Sequence, residues 1–170
     1  MKKLIVLLTV FLLVFSFSVS AGAEEYMEGS WAVSKTEDPL TDEIKLILLT
    51  NANRSNAIGL RYQNGTLEIM MMTEYLGTDS DEYFKEVAYR FDKNDVINTI
   101  WGTATGDRGL FYKEDEDTQA EFIEKMMTYE QLAVGYYPYE ENRKTVVFDL
   151  TGFTAAITPY LDTMGLEELK

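Results

Sequence analysis

Asn64-Gly65 stands between two alternating runs, and this dipeptide constrains the fold more than any other feature of the chain. A two-residue hairpin loop wants φ > 0 at both positions, which Asn and Gly tolerate best. The register then follows. Gln63 opposes Thr66, Tyr62 opposes Leu67, Arg61 opposes Glu68, Leu60 opposes Ile69 and Ile58 opposes Met71. Opposed residues share a face. Ile58, Leu60, Tyr62, Leu67, Ile69 and Met71 therefore form one apolar face, and Arg61 pairs with Glu68 on the other. Asn64-Gly65-Thr66 is also a formal glycosylation sequon, but the tight turn accounts for it.

The same period-two pattern recurs along the chain. Residues 30–37 read as a first strand, closed by the turn Asp38-Pro39-Leu40-Thr41-Asp42, where Pro fixes its own φ. Ile44 to Thr50 reads as the next strand, before a polar loop at 51–56. Val87, Tyr89 and Phe91 alternate with Ala88, Arg90 and Asp92. Val96 to Thr103 and Leu110 to Tyr112 pair around Gly106-Asp107-Arg108-Gly109. The period changes at Thr118-x-x-Glu121, a capping box in which Thr accepts from a free N–H and Glu reaches back. It predicts a helix over 118–130, with Phe122, Ile123, Met126 and Met127 on one face. Strands return at 132–137 and 145–150. Phe153, Ala156, Ile157, Tyr160, Leu161 and Met164 then repeat at helical spacing. Pro159 inside that run removes a hydrogen bond and kinks or breaks the helix. The expectation is a mainly β domain, an antiparallel β-sandwich or barrel-like sheet with two short helical segments.

The start of the chain has a different character. Met1-Lys2-Lys3 is basic, Leu4 to Phe17 is an almost unbroken apolar run, and Ala21-Gly22-Ala23 is a small-x-small site. This three-part pattern reads as a signal peptide over residues 1–23, with Ala21 as the alternative cut. The run is short for a membrane span, so no anchor is expected after cleavage. Residues 24–170 are read as a single β-rich exported domain, secreted or periplasmic. The leader carries two Lys and no acid, so its removal takes the net charge from −14 to −16. Such a surface repels nucleic acid, whose binding relies on Lys and Arg.

The chain has no Cys and no His. Thiol nucleophiles, Cys/His zinc sites and Ser-His-Asp triads are excluded. Carboxylates, Lys, Tyr, Ser and Thr remain. A carboxylate-dependent hydrolase acting on envelope polymers is the one enzyme class left open, but no acid pair is singled out.

Several motifs in order resemble the TagO/VasI-type accessory proteins associated with type VI secretion. They are Trp31 and the Asp38–Glu43 turn, Leu60 and Arg61 in the strand before the hairpin, Val87-x-Tyr89-Arg90-x-Asp92, Trp101, Phe111, Phe122-Ile123, and Phe148-Asp149-Leu150-Thr151-Gly152 leading to Ala156-Ile157. The match covers nearly all of the chain after the leader. The family commonly carries Cys where Tyr62 and the region of Met164 stand here. The resemblance implies a non-catalytic accessory or binding role at the cell envelope, with a protein or glycan as partner and no cofactor.

Four residues are candidates for binding: Arg61, Arg90, Tyr137 and Tyr139. Arg61 and Arg90, with Glu68 and Asp92, are out of step with their apolar neighbours and read as one charged outer face. Arg suits bidentate recognition of carboxylates, although cross-strand pairing is the simpler account. Alternation places Tyr136 in the core and leaves Tyr137 and Tyr139, around Pro138, for packing or for glycan stacking. Asp79-Ser80-Asp81-Glu82 and Glu114-Asp115-Glu116-Asp117 lack the spacing of an EF-hand and read as solvated loops or helix-start acids. Met70-Met71-Met72 reads as packing around Met71, so no metal site is expected.

Overall fold

In the computed structural model the described residues are 23–77, 83–113 and 115–170. Residues 1–22 of the expected leader, the loop at 78–82 and Glu114 lie outside them.

Among the described residues ten strands form one antiparallel sheet: β1 Glu24–Glu28, β2 Trp31–Glu37, β3 Ile44–Asn51, β4 Ala57–Gln63, β5 Thr66–Met72, β6 Phe84–Phe91, β7 Ile97–Thr103, β8 Gly109–Tyr112, β9 Gln131–Tyr136 and β10 Lys144–Asp149. Their order is β1-β2-β3-β4-β5-β8-β7-β6-β9-β10. The first five strands form a meander. The next three are laid down in reverse, so that β8 docks on β5 and β9 on β6. The β4–β5 register is the one that Asn64-Gly65 predicts, with Arg61 opposite Glu68 and Leu60 opposite Ile69. Asn64 and Gly65 take φ of 53° and 72°, as a primed turn requires.

The fold class expected from the sequence is the one observed, an antiparallel β sheet with short helices. The first strand is a correction. The chain already pairs over Glu24–Glu28, ahead of the strand expected at 30–37. That segment has no apolar alternation, because it is an edge strand with five exposed residues.

One face of the sheet is dry. Trp31, Leu46, Leu48, Ile58, Leu60, Ile69, Trp101, Val134, Tyr136 and Phe148 are all fully buried there. α1 Glu116–Thr128 packs Phe122, Ile123 and Met126 onto it. Phe122 meets Tyr89, Phe91 and Tyr112 at ring distances of 5.2, 5.2 and 4.8 Å. Tilted and edge-on contacts of this kind contribute beyond simple burial. The N-cap is also a correction. Asp115, not Thr118, opens the helix, and its carboxylate accepts from the Thr118 N–H at 2.9 Å and the Thr118 hydroxyl at 2.6 Å. A carboxylate three residues upstream takes the free donors first, and Glu121 bonds Lys125 instead at 2.7 Å.

Pro159 breaks the last helical run as expected. α2 Phe153–Ile157 gives way to a single 3-10 turn at Thr158–Tyr160 and then to α3 Leu161–Met164. α2 brings Phe153 against Trp31, with ring centroids 4.6 Å apart. Among the described residues β1 and β10 are not paired. Ser30 Oγ, donating to the Thr151 carbonyl at 3.5 Å, bridges the two ends of the curled sheet. No helix among the described residues is long and apolar enough to cross a membrane.

Candidate functional site

Function has to be sought on the wet face, because the dry face is filled. Pairing there runs in register rows. Met27, Ala32, Leu49, Gly59 and Met70 stand opposite one another across β1 to β5. Phe111, Gly102 and Phe84 continue the row across β8, β7 and β6. An uncharged row across eight strands is unusual for a solvent-facing surface, and Met27 and Phe84 are 62% and 52% exposed. Beside it Arg61 bonds Glu68 at 2.5 Å, and its guanidinium lies 5.4 Å from the centre of the Phe111 ring.

A depression with convergent polar groups lies farther along this face. It is a groove of about 310 Å³ over β6, β7 and β9, lined by Glu86, Ala88, Asn98, Ile100, Gly135, Tyr137 and Arg143 among others. Ala88 sits between Asn98 and Gly135 in the register, and these small residues make its floor. Tyr137 and Ile100, about half exposed, form apolar walls. Arg143, from the β9–β10 loop, reaches over Gly135: a Cβ there would be 2.5 Å from Nε. A glycine in a strand often marks such a close approach. The groove thus combines an aromatic face, a planar cation, an amide and one carboxylate, a set that stacks on and hydrogen-bonds a polar, ring-shaped ligand.

The four expected site residues are not one site. Tyr137 lines the groove. Tyr139 does not; its N–H donates to the Tyr75 carbonyl at 3.0 Å and its ring meets Tyr75 edge-on at 5.8 Å. Lys144 bridges the same two loops by bonding Glu74, and it holds Glu141 at 2.9 Å. Glu74, then Glu141, raises the Lys144 ammonium above its ordinary value.

Arg61 and Arg90 share the outer face, but β5, β8 and β7 lie between them, about 19 Å of sheet at ~4.8 Å per strand. The expected joint patch with Glu68 and Asp92 is therefore corrected. Glu68 belongs to Arg61, and Asp92 turns at φ 47° to accept the Gln131 N–H at 2.8 Å. Arg90 is exposed opposite Ala133. Sequence reading missed Glu86, Asn98 and Arg143 as groove residues; Gly135 inside a strand was the signal that something lies across it.

A second groove of about 480 Å³, between the hairpin tip, α1 and the C-terminal end, holds Asp117 and Glu168. Both are exposed, whereas a glycosidase acid needs a desolvated carboxyl to stay protonated.

No family model matches the chain, and no curated protein matches it. Among solved structures it is similar to the crystal structure of invasion associated protein B from Bartonella henselae, with a TM-score of 0.60 and 12% identity, over 84% of this chain and 97% of that one. At that identity the likeness shows the fold alone.

Proposed function

We propose that this is an exported, non-catalytic binding protein of the cell envelope, with the groove over β6, β7 and β9 as its ligand site. The observation that carries the reading is the meeting of Tyr137, Arg143, Asn98 and Glu86 over a floor of Ala88 and Gly135. The ligand class that suits it is a short glycan: Tyr137 offers a stacking face, and Arg143, Asn98 and Glu86 offer donors and acceptors to hydroxyls. Three further features support the reading. The leader pattern at residues 1–23 fits export. The motif order resembles the type VI secretion-associated TagO/VasI proteins, whose implied role is accessory. The fold likeness is to a bacterial protein named for its association with invasion.

Two measurements test the proposal. Amino-terminal sequencing of the protein recovered from expressing cells should begin at Glu24, or at Gly22 for the alternative cut. A start at Met1 would remove the export half. Titration with envelope-derived oligosaccharides should show saturable binding that Tyr137→Ala and Arg143→Ala each weaken by roughly tenfold, the loss of one good stacking or charge-assisted contact. Binding untouched by both substitutions would move the ligand elsewhere.

A further inference from the structure

We propose that β1 is a docking edge for an extended, basic segment of a partner protein, which adds to the sheet as an eleventh strand. This surface is at the opposite end of the sheet from the groove and does not depend on it.

Among the described residues β1 ends the sheet and pairs only with β2. Among the described residues no backbone hydrogen bond leaves its other side. All five of its residues are exposed. An edge in this state is a template for strand addition. β1 is also held in place from within, because the Tyr26 and Tyr160 hydroxyls are 3.1 Å apart.

The side chains specify the occupant. Met27 begins the uncharged row that runs across eight strands, and it borders an apolar groove of about 440 Å³ with Ala32, Ile47 and Leu49. A residue placed opposite Met27 would extend that row, so it should be apolar. Glu24, Glu25 and Glu28 are the rest of the edge apart from Tyr26. Cross-strand neighbours of opposite charge stabilise and like charges destabilise, so the residues opposite them should be Lys or Arg. A second copy of this chain is a poor occupant: antiparallel pairing centred on Tyr26 would set Glu24 against Glu28 twice. The complementary strand, antiparallel to β1, reads basic, apolar, any residue, basic, basic from its amino end.

The test uses the protein purified after expression of its complete sequence, isotopically labelled, and a capped peptide of sequence Lys-Val-Tyr-Lys-Lys. The expected result is saturable shifts of the backbone amides of Glu24–Glu28 and their β2 partners. The peptide with Glu for every Lys should give none. Glu25→Gln together with Glu28→Gln should weaken binding by roughly tenfold, the equivalent of two cross-strand charge pairs. Peptides N-methylated on the first, third and fifth residues, or on the second and fourth, keep charge and side chains but block one backbone edge each. One of the two should lose binding and the other keep it. Equal binding by both would show a charge contact without strand addition and overturn the proposal. So would shifts centred on another acidic stretch such as Glu140-Glu141, or sedimentation showing that the protein dimerises through β1.

Discussion

The guanidinium of Arg143 lies across the backbone of Gly135, so close that a methyl group on the glycine would stand 2.5 Å from Nε. The atoms in the way are the far end of a flexible, exposed side chain. Gly135→Ala should therefore change stability by less than about 0.5 kcal/mol while moving Arg143 off the groove floor. Thermal melting together with oligosaccharide titration checks this: binding should fall and the melting temperature should hold. A large loss of stability would show that Arg143 is tied into the fold rather than presented to a ligand.

Gly59 is the contrasting case. A Cβ there would be 1.8 Å from the Leu48 carbonyl oxygen, and both residues are buried in paired strands. Backbone must move, so Gly59→Ala should cost about 3 kcal/mol. Urea denaturation at equilibrium measures it, and a cost below about 1 kcal/mol would mean that β3 and β4 slide apart more easily than a packed sheet allows.

Asn56 and Tyr136 form a buried polar pair. Asn56 Nδ2 donates to the Tyr136 hydroxyl at 2.8 Å and more weakly to the Met72 carbonyl at 3.4 Å. Tyr136→Phe preserves the packing of a fully buried ring but leaves the amide short of an acceptor. The expected cost is about 1–2 kcal/mol. Asn56→Leu in the Tyr136→Phe background should recover part of it in the same denaturation experiment.

Arg61 separates a structural from a recognition role. Its ion pair with Glu68 is roughly one-third exposed on both sides, so a double-mutant cycle of Arg61→Ala and Glu68→Ala should give a coupling of about 0.5 kcal/mol. Because Arg61 also covers Phe111, the single Arg61→Ala change should cost slightly more than Glu68→Ala. Identical costs would leave the ring contact without energetic weight.

Asp115 makes the first turn of α1 sensitive to acid. The Thr118 hydroxyl, and after it the Thr118 N–H, hold its carboxyl below the ordinary value. A depressed folded-state pKa stabilises the folded form above the unfolded value, about 3.9, and the contribution is lost as pH falls through the folded value. The Thr118 amide resonance should therefore move below about pH 4, and Asp115→Ala should abolish that titration and fray residues 116–119 at neutral pH. An amide that titrates equally in both proteins would assign the cap to another group.

Legibility from sequence tracked how local each feature is. The β4–β5 register was readable because Asn64-Gly65 fixes it within the hairpin itself. The break at Pro159 was readable because a missing N–H acts where it stands. β1 was not, since Glu24-Glu25-Tyr26-Met27-Glu28 has polar groups on both faces and only its pairing with β2 makes it a strand. The start of α1 was misplaced because Asp115 and Thr118 compete as caps and only the folded geometry decides. The strand order was hidden, because nothing in Gly109–Tyr112 announces that β5 is its neighbour. The groove was hidden for the same reason: Glu86, Asn98 and Arg143 come from three segments that only the β7-β6-β9 order brings together.

That strand order also sets a timetable. Chains are made amino end first, and β1 to β5 are neighbours in sequence, so this meander can pair as it emerges. β5 then waits for β8. Until Gly109–Tyr112 has been synthesised, the strand carrying Met70, Met71 and Met72 is itself a bare edge, the kind of surface on which chains aggregate. In the finished protein the exposed edges belong to β1 and β10, while during synthesis the vulnerable strand is one that ends up in the middle. A chain cut short between Met72 and Gly109 would keep that exposure permanently.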